Sequence, residues 1–202
     1  MRVNNLSAGV IETAMARSFT NQTGPVYFSL LFQPGQTPDI SSANGDFVQF
    51  LLNNDPAEAI SGSIGLGRTD TNNPFFSRVG TTLSGDSDFS SVLAQNATTY
   101  LLVGRFEKVA SANYNQMSLW VNPSSLTETA PLTTSIFNSG TPDLDFLTMR
   151  TAGLSGDTYF FDELRIGTTF DAVVVPEPST WILCGLAAAG WLVRRRLRPK
   201  VA

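Results

Sequence analysis

The chain of 202 residues contains no histidine and a single cysteine. The first absence removes the commonest general base, any Ser-His-Asp triad and the usual zinc ligand. The second means that no intrachain disulfide can form, so the fold must rest on packing. Charge is scarce too, at 15% of residues with a formal net charge of -4. Before Pro176 the only cations are Arg2, Arg17, Arg68, Arg78, Arg105, Lys108, Arg150 and Arg165. A nucleic-acid partner would need a basic footprint on the folded part, and the sequence gives none.

Helical periodicity is also nearly absent before residue 175. In its place stand short apolar or alternating segments bounded by Gly, Pro, Asn and Asp. These are 26–32, 47–52, 63–68, 75–80, 99–109, 116–121, 144–150 and 158–167. Val26, Phe28, Leu30 and Phe32 share one face of the first, and Met117, Leu119 and Val121 one face of the sixth. Ala110 to Asn115 reads as a hairpin connection, and Pro123 stops the strand before it because it cannot donate to a ladder. In the last segment the alternation puts Phe160, Asp162, Leu164 and Ile166 on one face, with Asp162 on an apolar stripe where a carboxylate needs partners. Glu163 and Arg165 fall on the other face as a solvated pair. Eight such segments predict an all-β fold, an antiparallel two-sheet sandwich over residues 21–173.

The end of the chain has a different character. Val175-Pro176-Glu177-Pro178-Ser179-Thr180 is followed by an uncharged run that includes Trp181, Ile182, Leu183, Leu186, Trp191, Leu192 and Val193, and then by Arg194, Arg195 and Arg196. A bilayer core takes about 20 apolar residues, so this run is a marginal single C-terminal transmembrane helix that leans on its flanks. The tryptophans suit the interfaces, and the arginines hold the cytoplasmic side, which orients everything before Pro176 outward. Cys184 lies inside the apolar run and reads as a small hydrophobe.

The order of Pro-Glu-Pro, short apolar helix and terminal arginine cluster resembles the PEP-CTERM sorting signal of Gram-negative bacteria. The resemblance covers Val175 to Arg196, within a tail segment of 174–202, and implies that Pro176, Glu177 and Pro178 are the recognition motif of an exosortase, a membrane transpeptidase that cuts near the motif. A plain tail anchor with a rigid Pro-rich linker is the alternative. Tyr100 to Phe106, Met117 to Pro123 and Tyr159 to Thr168 are similar to the closing strands of concanavalin A-like, laminin-G-like jelly rolls found on exported PEP-CTERM proteins, a resemblance that extends over Pro25 to Val173 and implies a jelly-roll sandwich. That similarity implies fold more than activity. Export requires a leader with a basic start and an apolar core of about 7 to 15 residues. In Met1–Thr20 the nearest stretch, Val10, Ile11, Ala14 and Met15, is broken by Glu12 and followed by Arg17. Residues 1–20 are therefore expected to be the remnant of a longer amino-terminal region.

These readings point to a non-catalytic exported protein, in the inner membrane in transit and then at the cell surface or secreted, with exosortase and the membrane as partners. The alternative is a carbohydrate-binding module for an extracellular polysaccharide, with Trp120, Tyr100, Tyr159 and Tyr114 as stacking faces, although strand packing is the commoner fate of such rings. A glycoside hydrolase is the least favoured reading. Its carboxylate pairs would be Asp143 with Asp145 or Asp86 with Asp88, both in loop-like contexts, and the Glu-x-Asp-x-x-Glu motif of concanavalin-like glucanases is missing. No cofactor is expected. Asp70, Asn72 and Asn73 could form a calcium loop, but they lack the EF-hand spacing and its terminal Glu, and turn chemistry accounts for them.

Overall fold

A computed structural model describes residues 2–4, 11–35, 47–55, 61–67, 73–80, 87–137, 141–152 and 158–174. Within these described residues, twelve strands form two six-stranded antiparallel sheets. Sheet A contains β1 (Arg2–Asn4), β3 (Val26–Pro34), β8 (Tyr100–Glu107), β9 (Gln116–Val121), β10 (Thr133–Ile136) and β12 (Thr158–Gly167), in the order β1-β12-β3-β8-β9-β10. Sheet B contains β2 (Ile11–Gln22), β4 (Phe47–Asn53), β5 (Ser61–Gly67), β6 (Pro74–Gly80), β7 (Ser87–Leu93) and β11 (Leu144–Ala152), in the order β2-β11-β4-β5-β6-β7. A single turn of helix, α1 (Phe170–Val174), follows β12.

The core lies between the sheets. Val26, Phe28, Leu30 and Phe32 of β3 meet Val48, Phe50 and Leu52 of β4, with Leu102, Phe106, Met117 and Leu119 on one side and Ile64, Leu66, Phe75 and Met149 on the other. Phe32 and Phe50 touch edge to face, with centroids 6.2 Å apart. The inward set of β3 is the one that its alternation predicts. Gly104 makes room within sheet A for the ring of its cross-strand partner, because a Cβ there would lie 2.5 Å from the Phe28 ring. Asn115 closes the hairpin between β8 and β9, accepting from Val109 N at 2.7 Å and donating to Val109 O at 2.9 Å.

All eight expected segments are strands, and the architecture is the antiparallel two-sheet sandwich. The four strands that the sequence did not reveal are β1, β2, β7 and β10, which are the four sheet edges. An edge strand keeps one side and much of one face in water, so its sequence carries little alternation. In β2, Ala16, Arg17 and Ser18 are exposed in succession. β2 nevertheless pairs with β11 along most of its length, with Met15 opposite Met149 and Arg17 opposite Leu147. The domain boundary expected at residue 21 thus falls inside a strand of sheet B. The expected transmembrane run, 181–193, and the Pro176-Glu177-Pro178 motif lie outside the described residues, as does Asp70-Thr71-Asn72. Among the described residues, no helix is long and apolar enough to cross a membrane.

Candidate functional site

The site begins with an irregularity in β12. Phe161 pairs with Phe32 and Asp162 with Leu31, but the next partners are Arg165 with Ser29 and Ile166 with Phe28. Two residues of β12, Glu163 and Leu164, therefore face the single residue Leu30. This is a β-bulge, and Glu163 occupies it at φ 52, in the left-handed region. An extra residue changes the parity of everything after it. Before the bulge the inward residues are Tyr159, stacked on Phe32 at 5.7 Å, and Phe161, edge-on to Phe50 at 5.9 Å. After it the inward residues are Leu164 and Ile166, which pack against the core. The single apolar stripe expected for Phe160, Asp162, Leu164 and Ile166 does not exist. Phe160 is 41% exposed and Asp162 is exposed, its Oδ1 accepting from Glu163 N at 2.9 Å. Asp162 thus needs no buried partner. The Glu163–Arg165 ion pair is present at 3.2 Å, as expected.

The bulge shapes the outer face of sheet A. A hollow of about 410 Å³ is lined by Leu31, Gln33, Thr99, Phe160 and Asp162. A second, of about 400 Å³, shares Leu31 and continues over Ser29, Leu101, Leu126, Glu163 and Arg165 to Val173 and Val174 of α1. Together they make a trough with an apolar floor, two carboxylates and a guanidinium on its rim, and an exposed phenyl ring at one end. Sequence alternation hid Phe160 by assigning it to the core. The fact that Phe160, Phe161 and Tyr159 stand in succession was the available signal, since three consecutive rings cannot all share one face of a strand.

Beyond the trough the outer face is covered. Phe170, Val173 and Val174 pack with Tyr27, Val103 and Trp120 in a second apolar cluster. Arg105 stands beside it, with its guanidinium 5.6 Å from the Trp120 ring and 6.0 Å from the Tyr27 ring. It pairs with Glu107 at 2.6 Å and with Glu128, whose other oxygen accepts from the Tyr27 hydroxyl at 2.9 Å. Burial opposes the Arg105 charge, but the Tyr27 hydroxyl and the two carboxylates outweigh it and raise its pKa. The cluster fixes the 123–132 connection on the sheet and leaves no open guanidinium there for a ligand.

The aromatic rings considered as sugar platforms are interior. Trp120 is 3% exposed, edge-on to Phe170 at 5.1 Å, with Nε1 donating to Thr129 O at 2.9 Å. Tyr100 packs edge-on to Phe75 at 4.9 Å, and its hydroxyl accepts from Gln95 N at 2.9 Å. Tyr159 lies on Phe32 in the core. Tyr114 is fully buried, with its hydroxyl donating to Gly24 O and burial pushing its pKa up to about 12. None offers a ring face to solvent, because packing against the sheets consumes both sides. The expected carboxylate pair at Asp143 is engaged in loop contacts, accepting from Asn21 at 2.8 Å and Asn54 at 3.4 Å. Asp88 accepts from Thr134 N at 2.9 Å, and Asp86 lies outside the described residues. Among the described residues, no group of three or more His, Cys, Asp or Glu could hold a metal.

The outer face of sheet B carries a polar row that the sequence reading also missed. Gln49, Ser63, Asn53 and Thr148 are buried there, and among the described residues Gln49 Oε1 and Ser63 Oγ find no hydrogen-bond partner. Gln49 lies directly opposite Arg150, whose pKa burial lowers.

Against known proteins, residues 174–196 match the PEP-CTERM protein-sorting motif, so the chain carries a sorting signal of that type. No curated protein matches it in sequence. The fold superposes on an endo-β-1,4-glucuronan lyase from the fungus Trichoderma reesei with a TM-score of 0.52 at 12% identity, covering 77% of this chain and 73% of the other. A SAP-like pentraxin from Limulus polyphemus gives 0.49 at 8% identity over 83% and 76%. A tetrameric galectin from the sponge Cinachyrella sp. gives 0.45 at 11% over 77% and 98%. The likeness to the lyase is one of fold, an antiparallel two-sheet jelly roll, which is consistent with the expected concanavalin-like domain.

Proposed function

We propose that this protein is a non-catalytic exported protein of the bacterial envelope or extracellular matrix, delivered by exosortase processing of its tail. The observation that carries this reading is the sorting-motif match at 174–196, which contains Pro176, Glu177 and Pro178, the apolar run and the arginine cluster in order. The parts have separable physical roles. Each proline fixes its own φ and restrains the preceding residue to extended conformations, so the motif is an extended segment open to an enzyme. The apolar run holds the substrate in the inner membrane of a Gram-negative cell, and Arg194, Arg195 and Arg196 stop it sliding through. A tagged, leader-bearing form of the full chain tests this in hosts with and without exosortase. The expected result is processing only with the enzyme and none for Glu177→Gln, which removes the motif's charge and spares the helix. Identical behaviour of both forms in both hosts would leave a plain membrane anchor.

A second reading, binding of an extracellular polysaccharide, is supported by the trough. A sugar ring offers an apolar C–H face to Phe160 and hydroxyls to Asp162, Gln33 and Thr99, the residues lining one end. Phe160→Ala tests it in polysaccharide retardation gels. Loss of retardation with an unchanged melting temperature supports the reading, and equal mobility of parent and variant on every glycan that retards the parent contradicts it.

A further inference from the structure

The sorting-motif match begins inside the folded domain. Its first residue, Val174, is the last residue of α1 and is 5% exposed. Val173 is 1% exposed, and its carbonyl accepts from Ser29 Oγ at 2.6 Å. Phe170 lies between Tyr27 and Trp120, at 6.3 and 5.1 Å. Only Val175 separates this docked turn from Pro176. With Cα atoms about 3.8 Å apart along the chain, Pro176 lies within about 8 Å of a buried residue on the outer face of sheet A. In sequence, a single residue separates the docked turn from the motif.

Of the ways in which proteins read a peptide segment, those open to a Pro-rich motif take it in an extended form along several residues. A helical turn whose carbonyl and side chains are held by the sheet cannot enter such a cleft. A five-residue helix is also too short to persist in water without its packing, so α1 is helical only while docked. Resting on the sorting reading above, we propose that α1 is a releasable strap: docked, it holds the motif against sheet A, and undocked, it extends and presents the motif to the processing enzyme. Release frees the eight residues 168–175, which span about 27 Å when extended and move the sandwich away from the enzyme. Processing would then proceed through the small fraction of molecules with α1 open, at a rate proportional to that fraction.

The test is a pulse-chase measurement of processing of the full chain, bearing a secretory leader, in an exosortase-bearing host. Phe170→Ala removes the largest side chain of the strap and should speed processing by about tenfold or more. An eight-residue Gly-Ser spacer between Val174 and Val175 supplies the same reach without removing any packing, and should speed processing comparably even if Phe170→Ala folds poorly. Ile136→Ala, 63% exposed on the same sheet but away from α1, should leave the rate at that of the parent. If the spacer form is processed no faster than the parent while Glu177→Gln is not processed, the strap is refuted and the sorting reading stands. If Glu177→Gln is processed like the parent, the sorting reading itself falls.

Discussion

Substitution at Glu163 tests the bulge that creates the trough. A residue with a Cβ in the left-handed region costs roughly 1–2 kcal/mol relative to the right-handed form. Glu163→Gly relieves that cost. It also adds about 0.5–1 kcal/mol of unfolded-state entropy and removes an ion pair with Arg165 between side chains 31% and 29% exposed, worth under about 0.5 kcal/mol. The terms nearly cancel, so Glu163→Gly should unfold within about 0.5 kcal/mol of the parent. Glu163→Val keeps the left-handed demand and adds branching at Cβ, for which φ 52 is a true outlier. It should lose roughly 2 kcal/mol. The assay is urea unfolding followed by circular dichroism in the strand band, with the slope checked for constancy. If Glu163→Val were as stable as Glu163→Gly, the bulge would not require a left-handed residue, and the outward placement of Phe160 and Asp162 would lose its cause.

Tyr114 should resist ionisation until the pH approaches about 12, read as tyrosinate absorbance during alkaline titration. Its folded pKa lies above the ordinary value of 10.0, so its contribution to stability is complete below pH 10 and is lost as the pH rises through the folded value. Tyr114→Phe should cost about 1 kcal/mol and remove this late-titrating phenol. Gly104→Ala forces a Cβ to within 2.5 Å of the Phe28 ring and 2.8 Å of the Met117 methyl group, so it should destabilise by about 1–3 kcal/mol. Gly24→Ala, with nothing within 4 Å of its Cβ, should change the melting point little and serves as its control. Arg105→Lys should not restore what Arg105→Ala loses, because an ammonium cannot lie flat between Trp120 and Tyr27 while reaching both Glu107 and Glu128.

The interior strands were legible because burial on one or both faces imposes a pattern. β3 shows it in Val26, Phe28, Leu30 and Phe32, all at 0–1% exposure. The edges were not legible, since β2 and β7 solve a different problem, that of ending a sheet in water, and Ala16, Arg17 and Ser18 or Val92 and Leu93 follow one another exposed. The site was misread for one physical reason. Period-2 reasoning assumes an unbroken ladder, and one extra residue at Glu163 exchanges inside for outside. Asp162 therefore moved from an expected apolar stripe to the rim of a trough, and Phe160 became the exposed ring. The rings of Trp120, Tyr100 and Tyr159 went the other way, because the connection 123–132, α1 and the opposite sheet cover faces that single-strand patterns leave open. The tail was legible directly, since composition and order define it, needing no tertiary partner.

If the tail is a processed address for the jelly-roll domain, the mass of the exported protein records the processing. Intact-mass spectrometry of the leader-bearing chain recovered from the surface or medium of an exosortase-bearing host should give a species that retains α1, ends at or beside Pro176-Glu177-Pro178 and lacks the run from Trp181 onward. Recovery of a membrane-bound species that still ends at Ala202, with the enzyme present and active on another substrate, would make the tail a plain anchor.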